Sequence, residues 1–129
     1  MRRTVLILLA GLVVVVAAAP AGAAHRRPEP RREHLRLHCA WVTDGETRAV
    51  ACRWSQSKHP RFAAYRLVRA DREDGRSVVF RTDDRAVTRF LDETAVADTD
   101  YAYRVVVLNA DGDPIGASHA VGVRAPVAA

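Results

Sequence analysis

The chain has 129 residues, with 20 basic against 15 acidic side chains and a formal net charge of +5. That length holds one small domain with flanking segments and leaves no room for several. Seven of the basic residues lie in the first 36 positions, with two acids, which leaves 13 of each sign beyond them. The folded part is expected to be neutral, which argues against nucleic-acid binding, since that needs a basic stripe on a folded surface.

In chain order, Met1-Arg2-Arg3 gives a positive start, and Val5 to Ala19 is an unbroken run of Gly and apolar residues closed by Pro20. Ala21-Gly22-Ala23 is a small-x-small cleavage pattern, and a cut after Ala24 is nearly as good. Residues 1–24 are therefore expected to be a secretory signal peptide. The run is shorter than the roughly 20 residues a spanning helix needs. A retained membrane anchor is the alternative, but no stable span is expected after cleavage. Residues 25–34 form an Arg/Pro-rich linker kept open by Pro28, Pro30 and charge, which could also touch an anionic cell surface by Coulomb attraction.

Seven short β-rich runs follow at regular spacing: 35–43, 48–55, 62–70, 77–82, 87–92, 101–109 and 115–123, and residues 125–129 are left as a tail. Turn signals such as Asp44-Gly45, Asp83-Asp84 and Asp111-Gly112 separate them. No segment keeps a 3.6-residue apolar period. Seven strands in about a hundred residues match an all-β, immunoglobulin-like antiparallel β-sandwich. Strand alternation sorts the faces. Val50, Cys52 and Trp54 share one face, as do Tyr65 with Leu67, and Tyr101 with Tyr103, Val105 and Val107.

The two cysteines are Cys39 and Cys52. In an exported protein an even count favours a disulfide. A two-residue turn at Gly45-Glu46 sets Asp44 opposite Thr47 and, five steps further out, Cys39 opposite Cys52. That register falls at a non-hydrogen-bonded pair, where facing residues are closest and within disulfide reach. Such a bridge is worth roughly 3 kcal/mol by loop entropy. A redox pair or a metal site is the rival reading; the first would favour Cys-x-x-Cys, and no histidine cluster supports the second.

These runs resemble the fibronectin type III family over 35–124. Trp54 stands where the family places its core tryptophan, Tyr65-Arg66-Leu67 looks like its third strand, and Phe90-Leu91-Asp92 followed by Tyr101-Ala102-Tyr103 resembles its fifth-to-sixth-strand corner. Asn109 and Gly112 fall where the family has its Asn and turn Gly. The resemblance implies that Tyr101 bonds back to the chain just upstream. Ala95 and Ala97 replace the family's usual Leu and Pro, and Val96 is expected to fill the apolar slot. Cys52-Arg53-Trp54 is similar to a motif of the cytokine-receptor branch, whose second disulfide this chain cannot form. Arg-Gly-Asp is absent, so integrin-type adhesion is not implied. Lys58 is the only lysine, and this Arg-, Ala- and Val-rich usage suggests a high-GC bacterium.

Catalytic signatures such as Gly-x-Ser-x-Gly, a phosphate loop or His-Glu-x-x-His do not occur. His25, His34, His38, His59 and His119 are scattered. Asp111 and Asp113 could approach a calcium ion, but that ion wants six or more oxygens, and plain turn chemistry explains them better. No catalytic residue, metal or cofactor is expected. Val68, Val106 and Leu108 fall on an outer sheet face and form a candidate contact patch, unless the stems of Arg66 and Arg104 cover it. The expectation is a secreted, non-catalytic binding module whose partner is an unknown protein or a cell-envelope component. A carbohydrate- or wall-associated accessory module is the first alternative, and a small secreted hydrolase the second.

Overall fold

The computed structural model describes residues 31–125 apart from residue 74 and the side chain of Asp44. The expected leader, most of the linker and the last four residues lie outside the described residues. The described chain is all β: β1 (Glu33–Leu35), β2 (Leu37–Asp44), β3 (Thr47–Trp54), β4 (Ala64–Asp71), β5 (Gly75–Thr82), β6 (Arg89–Asp92), β7 (Tyr101–Leu108), β8 (Pro114–Ser118) and β9 (Val121–Val123). Two sheets face each other. The larger runs β1-β8-β7-β4-β5, with β9 also on β7; the smaller runs β2-β3-β6.

The sandwich differs from the expected one at both ends of the chain. The first run is split, because Arg36 steps from one sheet to the other. Its amide donates to Ser55 Oγ at 2.9 Å, and its carbonyl accepts from the Ser55 amide at 3.0 Å. The last run is split after Ser118, whose hydroxyl accepts from the Val105 amide at 3.1 Å and fills the gap in the β7 ladder. Pairing begins at Glu33, inside the expected linker, and β1 runs parallel to β8, with Glu33 opposite Gly116 and Leu35 opposite Ser118. The sheets are therefore not purely antiparallel. Gly116 permits this approach: a Cβ there would lie 2.9 Å from both the Cβ and the carbonyl oxygen of Glu33.

The hairpin register is as expected. Asp44 faces Thr47 and Cys39 faces Cys52. Gly45 takes the left-handed φ of 63° that the tight turn requires. Cys39 and Cys52 form a disulfide with their Cα atoms 4.1 Å apart.

The core is built from the faces that alternation selects. Val50, Cys52 and Trp54 point inward from the small sheet, and Tyr65, Leu67, Tyr103, Val105 and Val107 from the large one. Aromatic rings join the layers. Trp54 meets Tyr65 edge-on at 5.6 Å, and Phe80 stacks on Phe90 at 4.4 Å. Truncating a ring such as that of Trp54 to Ala typically costs about 3–5 kcal/mol.

Candidate functional site

Tyr101 makes the corner. Its hydroxyl accepts from the Val96 amide at 2.8 Å. The apolar slot is filled differently from expectation: Ala95 is buried in the core, whereas the Val96 side chain is 63% exposed. The small alanine fits under the corner, so the β-branched residue turns outward and contributes only its amide.

The internal polar groups form two locks. In the first, Asp92, only 1% exposed, accepts from the Thr94 amide at 3.1 Å and the Thr94 hydroxyl at 2.6 Å on one oxygen. Its other oxygen accepts from Tyr103 at 2.7 Å and from Arg69 at 2.9 Å. Arg69 also lies over the Tyr101 ring, 4.8 Å from its centroid. Burial pushes the Asp92 carboxyl up, but the Thr94, Tyr103 and Arg69 donors outweigh it and hold the group below the usual carboxylate range. Burial, and then the Asp92 carboxylate, push the Tyr103 phenol far above its ordinary value.

The second lock ties β1 to the loop between β3 and β4. Glu33 accepts from Ser57 Oγ at 2.6 Å and from the Lys58 amide at 2.7 Å. Tyr65 accepts from the Ser57 amide and donates to the Arg85 carbonyl, both at 2.8 Å. Burial raises the Tyr65 phenol, and the Ser57 contact only partly opposes this. His59 is buried nearby, but its Nδ1 accepts from the Arg61 amide at 3.0 Å. The Ser57 hydroxyl is directed to Glu33, so this Ser, His and Glu do not make a hydroxyl–imidazole relay. In the β7–β8 turn, Asn109 Oδ1 accepts from the Asp111 and Asp113 amides at 3.0 and 2.9 Å. Among the described residues, no three His, Cys, Asp or Glu side chains are grouped to hold a metal ion.

The expected apolar contact patch is mostly closed. Val106 is 7% and Leu108 1% exposed, packed with Ala64 and Ala117 as a small second core on the outer face of the large sheet. Only Val68 stays half-buried. β7 is an interior strand, flanked by β4 on one side and by β8 and β9 on the other, so neighbouring side chains close over its outer face.

What remains open on that face is mostly basic, with Val78 of β5 exposed beside Val68. Arg66 on β4 stands directly opposite Arg81 on β5. Arg104 on β7 pairs with Val68 and so lies one diagonal step from Arg66. Its Nε donates to the Ser118 carbonyl at 3.1 Å, which carries the row to the β8–β9 bend. There His119 packs against His34 of β1, ring centroids 4.5 Å apart. Among the described residues, no carboxylate occupies an outward position on these strands, and the one ion pair is Arg69–Asp92 on the inner side. Two shallow grooves of about 440 and 400 Å³ meet at Arg66, Arg104 and Val106. The neutral total thus conceals a local row of arginines on this face. Sequence reasoning missed it because net charge carries no facing information; the signal was the placement of Arg66 and Arg104 on outward-facing parities.

No family model matches the chain, and no curated protein sequence matches it. Its fold, however, is similar to solved ones. Against the sixth fibronectin type III domain of human fibronectin type III domain containing protein 3, the TM-score is 0.54 at 16% identity, over 84% of this chain and 96% of that one. The fold is that of a fibronectin type III domain.

The fibronectin type III fold also matches part of two larger proteins. One is the pectate lyase PelI of Erwinia chrysanthemi, solved in complex with tetragalacturonic acid, with TM-score 0.55 and 20% identity over 69% of this chain. The other is the twitchin kinase region of C. elegans, with TM-score 0.51 and 19% identity over 75% of this chain. The chain spans 28% of that lyase and 17% of the twitchin region.

Proposed function

We propose that the protein is an exported, non-catalytic contact module that works through the outer face of its large sheet. The fibronectin type III fold is of the interaction and structural type, and the observation that carries the reading is the division of its polar groups. The carboxylates of Asp92 and Glu33 are held in the two locks, whereas Arg66, Arg81 and Arg104 gather on the outer face, where among the described residues the strands carry no outward carboxylate. Export is supported by the Cys39–Cys52 disulfide, which suits an oxidising compartment, and by the charged, apolar, small-residue order of the first 24 residues. Among the described residues no helix is long and apolar enough to cross a membrane.

A carbohydrate- or wall-associated accessory role is the more specific version of this reading. The partial likeness to a pectate lyase solved with tetragalacturonic acid favours it, as does a face suited to acidic groups.

The test is expression of the full chain in a secreting bacterial host. The expected product is extracellular, disulfide-bonded and begins just after Ala23 or Ala24 by mass spectrometry. It is expected to be retained on isolated cell envelopes or extracellular polymer at low salt. A product held in the cytoplasm, or one that passes through every such matrix, would overturn the proposal.

A further inference from the structure

We infer that the row Arg81–Arg66–Arg104 binds a linear acidic polysaccharide laid across the strands of the large sheet. The inference rests on the contact-module reading and names its partner class.

Three observations carry it. First, two of the cations, Arg66 and Arg81, are placed where the free protein gains no ion pair from them. Arg66 and Arg81 are directly opposed on neighbouring strands, an arrangement that destabilises a sheet. Neither has a carboxylate within ion-pair distance among the described residues. Second, Arg66 Nε is buried and bonds to nothing among the described residues, although a buried donor normally has a partner. An anion seated in the groove beside it would supply one. Third, the row is periodic. Strands lie about 4.8 Å apart, so the row presents one guanidinium on each of three successive strands, β5, β4 and β7, and then reaches the His119–His34 pair. A linear polymer with an acidic group on each unit can meet such a row at several points. The chain also enters β1 through Arg31-Arg32, at the same edge of the sheet.

The composition of the face selects the class of anion. Arginine offers a planar fork that matches carboxylate or sulfate oxygens in pairs, which the single lysine of this chain does not. Among the described residues the outward strand positions are Arg, Val, Leu, Ala, Gly, Pro and His, with no Phe, Tyr or Trp. Single-stranded nucleic acid is typically held by aromatic platforms on which bases stack, and this face has none. Recognition here is of charge along a chain, not of ring faces.

The test titrates the full, disulfide-bonded chain with polygalacturonate, dextran sulfate, neutral dextran and a single-stranded oligonucleotide. Binding to one or both acidic glycans, falling with salt, and none to dextran is expected; the two acidic arms separate carboxylate from sulfate as the preferred group. Arg66→Gln/Arg81→Gln/Arg104→Gln should weaken acidic-glycan binding by about tenfold. Arg81→Gln/Arg104→Gln, at two exposed positions, should lose most of that and keeps the test valid if Arg66 proves necessary for folding. Arg53→Gln/Arg89→Gln on the opposite sheet removes the same charge and should change binding by less than about twofold. Equal losses from the two faces, or tighter binding of the oligonucleotide than of either glycan, would overturn the inference. If no acidic glycan binds but cell envelopes still retain the protein, the inference fails and the contact-module reading stands. If neither binds, both fail.

Discussion

Tyr103 donates its hydroxyl to Asp92 Oδ2 at 2.7 Å, and this contact ties β7 of the large sheet to β6 of the small one across the core. Arg69 of β4 reaches the same oxygen, so three strands from two sheets converge on one carboxylate. The two ends of the Tyr103–Asp92 contact are not equivalent. Tyr103→Phe removes one donor and leaves Asp92 three others, at an expected cost of about 1.5–3 kcal/mol. Asp92→Ala strands Arg69, Tyr103 and Thr94 at once, at an expected cost of about 3–5 kcal/mol. Urea unfolding of the two variants checks the order; a cheaper Asp92→Ala than Tyr103→Phe would contradict it.

The same carboxylate sets an acid limit. Its folded-state pKa lies below its ordinary value, because the Thr94, Tyr103 and Arg69 donors outweigh its burial. A depressed carboxylate contributes stability that is full above its unfolded value, about 3.9, and is lost as pH falls through the folded value. The wild-type urea midpoint is therefore expected to hold from neutrality to about pH 5 and to decline below pH 4. Asp92→Asn, which has no proton to take up there, should start lower at pH 7 and decline less steeply. Parallel profiles for the two proteins would remove Asp92 from the acid response.

The sequence discloses what local patterns encode. The disulfide follows from counting outward from one tight turn, and Trp54, Tyr65, Tyr101 and Tyr103 follow from strand alternation. Long-range choices are less legible. The parallel β1–β8 pair joins residues some 80 positions apart, and the split at Arg36 depends on Ser55 being near it. Burial of Asp92 is hidden because a carboxylate after Phe90-Leu91 reads as the start of a turn. Its Thr94 contacts are indeed turn chemistry, but Tyr103 and Arg69 arrive from the other sheet. The outer face is less legible for a related reason. Val106 and Leu108 look exposed on one strand considered alone, and only the flanking strands close them off.

Gly116 controls whether β1 docks. With a Cβ placed 2.9 Å from Glu33 Cβ and the Glu33 carbonyl, Gly116→Ala must push β1 away from β8, since backbone on both sides resists. Overpacking of this kind costs about 1–3 kcal/mol. The variant is expected to keep its disulfide and its central strands while amide exchange accelerates at β1 and at Lys58, whose amide is held by Glu33. Unchanged exchange at both places would show that the parallel pair absorbs a methyl without loss.

Arg81 gives the reverse kind of prediction, a substitution that stabilises the free protein. It is exposed and stands across from Arg66, and like charges directly opposed in a sheet repel by roughly 0.2–1 kcal/mol. Arg81→Gln is expected to raise the urea midpoint at low ionic strength, and the gain should fade in about 1 M salt, where the screening length shrinks to about 3 Å. Wild type should itself gain stability over the same salt range. A neutral Arg81→Gln at low salt would mean that the two guanidinium groups diverge into solvent and that the sheet bears no repulsion. A stabilised variant that also loses acidic-glycan binding would show the face trading fold stability for recognition, because the charge that weakens the free sheet is the one the partner needs.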